Sequence, residues 1–409
     1  MRSLRTPTRP LPGVALALAI VGLLVAVPVP VGATPTSTPE FYTEVPANLD
    51  ASAPGDVIRW EPETDLWWTL SALTAYRVMY RSDGASGEAV AETAMVFVPE
   101  GPTPEGGWTV VAWAHGTSGV GDACAPSKYP SLYPSPWPGY VNEVAHLVHQ
   151  GHVVVAPDYE GLGTPGRHTY LHTDAQANAV IDGVRAARAL AGQVAGAATD
   201  TRWAVVGHSQ GGQAAAGAAE LASARAPELE LVGAVLLAPA MGLRSLTRTM
   251  ASNAPWFPYT SYVGAGIGAT HPGFDYAAFV GPQLLPLMAY AEELCFDEWF
   301  GAALTYYRPG LHRNLAAGWS QDPNVRDYFA SARIGTRPAV APMLVQQGTS
   351  DILYRALDRQ VATFCAQGDA VAWDVYLHTN HGLVVPRSWP TVRDWLADRF
   401  EGKPAPSDC

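Results

Sequence analysis

The chain has 409 residues, 48% of them hydrophobic and 15% charged, and 37 Asp and Glu outweigh 25 Lys and Arg for a formal charge of −12. An acid surplus of this kind argues against nucleic acid as a partner. The length fits one large domain with an insertion, and four cysteines, Cys124, Cys295, Cys365 and Cys409, point to two disulfides in an oxidising compartment without choosing among three pairings.

Arg2, Arg5 and Arg9 precede an apolar run over residues 14–27, and Val31-Gly32-Ala33 supplies the small residues of a cleavage site. The pattern predicts a signal peptide over residues 1–33 and a secreted mature chain starting near Thr34, with a charge of −15 once three arginines are gone. Pro28 and Pro30 interrupt the run too early for a spanning helix, and no later stretch is long and apolar enough, so no stable membrane anchor is expected. Residues 42–74 are aromatic without clear periodicity and read as a packing segment.

Runs rich in Val, Tyr and Phe at 76–81, 93–98 and 109–114 open a sheet. From there strands at 153–156, 203–206 and 234–237 alternate with helices around 175–190 and 211–224. After a lapse the alternation returns with a strand at 343–345, a helix at 355–366, a strand at 373–377 and a helix at 389–400. Apolar strands alternating with helices imply a mostly parallel central sheet covered on both faces. The lapse carries Trp256, Phe257, Met288, Trp299 and Phe300 among helix-forming stretches such as 284–294, which predicts a mostly helical cap over residues 240–338. It divides the core into a first part, 34–239, and a second, 339–409.

Gly207-His208-Ser209-Gln210-Gly211-Gly212 stands between a β-run and an Ala-rich helix, the setting of a nucleophile elbow. That elbow makes the fold class an α/β-hydrolase, an α/β architecture with an inserted helical cap. It also sets the order Ser, acid, His. Asp351 follows the strand at 343–345, whereas Asp374 lies inside a strand and Asp358 and Asp369 border a helix. His381 follows the last strand and precedes Gly382, while His378 still belongs to the strand end and is expected to pack or hydrogen bond. Ser209, Asp351 and His381 are thus the candidate catalytic residues, with Gln210 as one oxyanion donor and Gly116 or Thr117 as the second. His146, His149 and His152 share a three-residue spacing, but Gly151 ends their helix and no metal site is expected. Residues 157–163 are expected to line the pocket, with Asp158 and Glu160 as loop hydrogen bonders.

With these residues the chain resembles the secretory lipase family, of the lipase A type, over essentially the whole mature length. The segments Asp122-Ala123-Cys124-Ala125-Pro126-Ser127 and Pro157-Asp158-Tyr159-Glu160-Gly161-Leu162-Gly163, with Ser209, Asp351 and His381, carry the likeness. The resemblance implies the disulfides Cys124–Cys295 and Cys365–Cys409. Two departures stand out: yeast members place an acidic side chain near the oxyanion loop where this chain has His115-Gly116-Thr117, and the pentapeptide around His208 and Gln210 is closer to bacterial lipases.

The expected activity is carboxylic ester hydrolysis through an acyl-enzyme, as a lipase or esterase, without metal or organic cofactor. An apolar cap favours a lipid or other acyl ester as substrate and transient contact with a lipid interface. An acyltransferase would use the same triad, and a binding protein that keeps the fold would have no need of it.

Overall fold

The computed structural model describes residues 39–64, 73–128, 140–196, 198–253, 256–306 and 314–409. The expected signal peptide lies outside them. Nine strands form one sheet in the order β1-β2-β3-β5-β4-β6-β7-β8-β9. In chain order the elements are α1 (Pro39–Thr43), β1 (Val57–Glu63), β2 (Leu73–Asp83), β3 (Ala89–Pro99), β4 (Trp108–Ala114), α2 (Tyr140–His149), β5 (Val153–Pro157), α3 (Thr173–Ala195), β6 (Thr199–His208), α4 (Gln210–Arg225) and β7 (Glu230–Leu237). They continue with α5 (Leu243–Ala251), α6 (Pro258–Thr270), α7 (Met288–Glu293), α8 (Phe296–Tyr306), α9 (Pro323–Ser331), β8 (Met343–Gly348), α10 (Leu357–Ala366), β9 (Val371–Tyr376) and α11 (Val384–Phe400).

The first three strands form an antiparallel meander joined antiparallel to β5, and from β5 to β9 every neighbouring pair is parallel. The α/β-hydrolase class read from the elbow and the strand-helix alternation is the class observed. The fully buried strands explain the apolar runs: in β4, Val110 and Ala112 join α3 and α4 in one core, while the alternate residues Val111 and Trp113 join α2 and α11 in another.

The packing segment resolves into α1, whose Phe41 and Tyr42 pack on Met79 and Ala91, and the edge strand β1. Its irregular pattern follows from being paired on one side; Pro62 is tolerated there because an edge strand needs no outward amide. Helix α11 starts at Val384, before the expected start at 389.

The five helices α5–α9 occupy the interval between β7 and β8 and gather around a third core that contains Phe257, Met288 and Trp299, with Trp256 and Phe300 packed against it. Cys124, in the loop after β4, is bonded to Cys295 just before α8. Cys365 at the end of α10 is bonded to Cys409. The tail lies along β9, where the Asp408 amide donates to the Val371 carbonyl and its carboxylate accepts from the Trp373 amide.

Candidate active site

Parallel pairing brings the carboxyl ends of β6, β8 and β9 to one edge of the sheet, where loops leave it. Ser209 follows β6 directly and has φ 59° and ψ −114°, a conformation that L-residues rarely adopt. The turn holds because its flanks lack side chains: a Cβ on Gly207 would sit 2.0 Å from the Gly211 carbonyl oxygen, and one on Gly211 would sit 1.9 Å from that of Ala114. The serine is thereby pinned at the start of α4, whose first amides have no partner within the helix.

Asp351 lies beyond β8, accepts from the Leu353 amide at 3.0 Å and from Gln347 Nε2 at 2.7 Å, and so caps a short 3-10 turn. The Ser350 amide donates to the Thr379 carbonyl and the Thr349 amide to that of Tyr376, each at 3.0 Å, which draws the loops after β8 and β9 together. His381 then bridges the other two groups. Its Nδ1 lies 2.7 Å from Asp351 Oδ2 and its Nε2 lies 2.8 Å from Ser209 Oγ. Burial opposes ionisation of Asp351, but the His381 charge and hydrogen bond, with the Leu353 amide and Gln347, hold its carboxyl below the usual range.

The competing residues stand elsewhere. Asp374 remains in β9 and accepts from Gln346, Asp369 accepts from the Ala339 amide, and Asp358 is exposed on α10. The His378 side chain is exposed rather than packed, and its backbone amide donates to Thr349 Oγ1.

Two residues to which the sequence assigned no catalytic role, His208 of the elbow and Tyr140, support the site from behind. The His208 ring is buried 4.7 Å from the His381 ring, and burial, with the nearby His381, lowers its pKa to about 3, so it is neutral. Its Nε2 donates to the His381 carbonyl at 3.0 Å, which leaves Nδ1 to accept from the Tyr140 hydroxyl. Burial pushes the Tyr140 phenol up, against a hydrogen bond from the Gly116 backbone. A chain of contacts thus runs from Gly116 through Tyr140 and His208 to His381. Gly116 packs against the Tyr140 hydroxyl, whereas Thr117 shares a 2.8 Å hydrogen bond between its hydroxyl and Tyr170.

The elbow helix is braced as well. Gln210 Nε2 donates to Gln176 at 2.7 Å and reaches His168 Nε2 at 3.0 Å, while Gln213 Nε2 donates to the Leu171 and Ala332 carbonyls.

A narrow apolar cavity of about 20 Å³ meets Ser209 and His381. Its walls are Leu243, Leu246 and Met250 of α5, Tyr259 and Val263 of α6, and Tyr170, Leu171, Ile352 and Leu353, with no ionised side chain apart from the site itself. The loop at 157–163 does not line this cavity, contrary to the sequence expectation; its continuation at Tyr170 and Leu171 does. Asp158 accepts from Thr93 and from the Ser127 amide, and Glu160 accepts from Thr169 and the Ala85 amide, which makes both loop braces. His152 pairs with Thr109 and His146 stacks on Trp389; among the described residues no group of three or more His, Cys, Asp or Glu could hold a metal ion. No helix among them is long and apolar enough to cross a membrane.

The family model described as secretory lipase matches residues 141–408. A probable inactive lipase of Mycobacterium tuberculosis (strain CDC 1551 / Oshkosh) is 27% identical over 392 residues, covering 90% of this chain and 83% of the relative. A secreted triacylglycerol lipase of Malassezia globosa is 27% identical over 354 residues, covering 82% and 73%. Among solved structures, Candida antarctica lipase A in its closed state superposes with a TM-score of 0.75 at 20% identity, over 91% of this chain and 89% of that one. A rice cell wall degrading esterase from Xanthomonas oryzae superposes with a TM-score of 0.67 at 20% identity, over 85% and 100%. With a family match over most of its length and the same fold, the chain belongs to the secretory lipases, carboxylic ester hydrolases built on the α/β-hydrolase fold.

Proposed function

We propose that this protein hydrolyses lipid esters through an acyl-enzyme formed on Ser209. His381 takes the Ser209 proton as Oγ attacks the acyl carbon, then passes it to the departing alcohol. Water repeats the cycle from the other side and releases the acid. Asp351 holds the ring orientation and stabilises the imidazolium. The Gln210 and Thr117 amides receive the oxyanion, each contributing roughly 2.7–4 kcal/mol to the transition state. Gly116, set against the Tyr140 hydroxyl, positions that loop.

The observation that carries the reading is His381 within hydrogen-bond reach of both Ser209 Oγ and Asp351 Oδ2, at the end of an apolar cavity. A chain that had lost catalysis, as one relative's name suggests for itself, has no reason to keep that bridge. The apolar walls favour an acyl chain, whose burial contributes about 25 cal/mol per Å². Release outside the cell, after removal of residues 1–33, is supported by the N-terminal sequence, the two disulfides and the family's secretory character.

The test is hydrolysis of p-nitrophenyl esters from acetate to palmitate by the protein and by Ser209→Ala. Turnover that rises with chain length and disappears in the variant supports the reading. Activity limited to short chains restricts it to an esterase, and turnover that survives in the variant overturns it.

A further inference from the structure

Helix α5 presents different chemistry to its two sides. Leu243, Leu246 and Met250 line the Ser209 cavity, whereas Arg244, Ser245 and Arg248 line a second, wider cleft. Spacings of three and four residues put the apolar side chains on one stripe of the helix and the arginines on another. Arg326 of α9, Arg333 just beyond it, and Gln360 and Thr363 of α10 contribute to the far wall of the cleft, which holds about 640 Å³ and opens to solvent. Four guanidinium groups, two from α5 and two from α9 and the turn that follows it, therefore surround one concavity, with no carboxylate among its lining residues.

Many arginines elsewhere in the protein pair with a carboxylate, while Arg188, Arg387 and Arg399 are held by carbonyls and hydroxyls. Arg77 pairs with Glu61 and Glu63, Arg185 with Asp182 and Glu228, Arg202 with Asp200, and Arg225 with Asp83 and Asp182. Among the described residues no ion pair reaches Arg244, Arg248, Arg326 or Arg333, although the chain carries 37 carboxylates. Arg244 reaches the Ser320 carbonyl at 3.4 Å, and Arg248 stands over the Trp319 ring. Like charges gathered without counter-charge repel one another, and an anion in the cleft relieves that repulsion.

The planar guanidinium fork matches the oxygens of a phosphate. The cleft is larger than a lone inorganic ion requires and suits a headgroup. Because α5 is the common wall, an occupant of the cleft sits about one helix diameter, roughly 10 Å, from the acyl cavity.

We propose that this cleft binds the phosphate headgroups of an anionic lipid surface and seats the protein there with α5 toward the lipid. The choice of lipid as the source of phosphate rests on the ester-hydrolase reading, whereas the anion site stands without it. The molecule as a whole is negative and is repelled by such a surface, so attraction is local to the cleft and weakens with salt.

The experiment is vesicle co-sedimentation, performed with the Ser209→Ala protein so that binding is measured apart from turnover. Vesicles of phosphatidylcholine are compared with vesicles that also contain phosphatidylglycerol. Two double variants with the same change in charge are run beside the parent: Arg326→Gln/Arg333→Gln in the cleft, and Arg59→Gln/Arg393→Gln away from it. Circular dichroism and thermal melting check that both are folded. Each cleft arginine is expected to contribute roughly fivefold to partitioning onto the anionic vesicles, so the cleft double loses at least tenfold and the distant double less than about twofold. Equal loss in the two doubles, or equal binding to the two kinds of vesicle, overturns the proposal. Cleft-dependent binding of soluble inositol hexakisphosphate without vesicle binding overturns the lipid assignment.

Discussion

In the proposed mechanism Asp351 and Tyr140 both act on Ser209 by way of an imidazole, and replacing either separates orientation from nucleophilicity. Asn at 351 can keep the bond to His381 but favours the wrong tautomer, so Asp351→Asn should lower kcat by about 10⁴ with the melting temperature little changed, the loss known for the equivalent change in a serine protease triad. Tyr140→Phe leaves His208 Nδ1 without its partner. An unpaired buried polar group costs about 1–3 kcal/mol, and kcat should fall about tenfold while KM stays within about twofold. A change in KM with kcat unaltered would place Tyr140 outside the support of His381. These two sites also differ in how far the sequence reveals them. The elbow is legible because its demands are local: Gly207 and Gly211 adjoin the serine whose turn they permit. The Tyr140–His208 bond joins residues 68 positions apart, and nothing in the pattern around Tyr140 marks it as a partner.

At the scale of elements, the Cys124–Cys295 disulfide fastens the loop after β4, which carries the oxyanion candidates, to the start of α8. In the chain-entropy picture a closed loop of 171 residues corresponds to about 5 kcal/mol. Cys124→Ala/Cys295→Ala should therefore lower the unfolding free energy by about 3–5 kcal/mol, measured by denaturant titration. Its activity on long-chain esters should fall more than on acetate, because the apolar cavity depends on the position of the inserted helices. Equal losses on both substrates would show that the bond stabilises the molecule without shaping the cavity. Periodicity and spacing revealed the insertion as surplus length between two strand-helix repeats. They did not reveal β1, because an edge strand with Pro62 and a half-exposed pattern lacks the alternation of a strand packed on one face. The disulfide pairing came from family resemblance, since spacing alone left three pairings open.

At the scale of the whole molecule, buried titratable groups shape the pH dependence of stability in opposing directions. Burial, first among the causes in each case, pushes Glu143 and Glu160 up to about 7 and Asp158 up to about 6. In that range the folded state keeps protons that the unfolded chain has released, so these groups reduce stability as pH rises from about 4 to 7. The imidazoles of His115, His152 and His168 are lowered to about 4 and that of His208 to about 3, again by burial first. Below 6.5 the unfolded chain takes up protons that these rings refuse, so they reduce stability as pH falls. The two sets offset each other between about pH 4.5 and 6; below that the histidines are joined by carboxylates held below their usual range, Asp351 among them, whose stabilisation is lost as they protonate. A melting profile should show a gentle slope from pH 7 to 5 and a steep limb below about 4.5. Glu160→Gln removes one of the opposing groups and should lose roughly 1–3 kcal/mol more than the parent on passing from pH 7 to 5. A shallow acid limb would contradict this balance.

The bond between Cys365 and Cys409 has a consequence beyond stability. Strand β9 ends the sheet, and its outward amides and carbonyls form a template onto which another chain could add a strand. The Asp408 contacts to Val371 and Trp373 occupy part of that template, and the disulfide keeps the tail in place, while Pro62 interrupts the opposite rim at β1. Each margin of the sheet thereby carries an interruption that works against edge-to-edge pairing. Selective reduction of this bond, or Cys409→Ser, should promote intermolecular β-pairing, seen as thioflavin-positive particles, at temperatures where the protein is still folded.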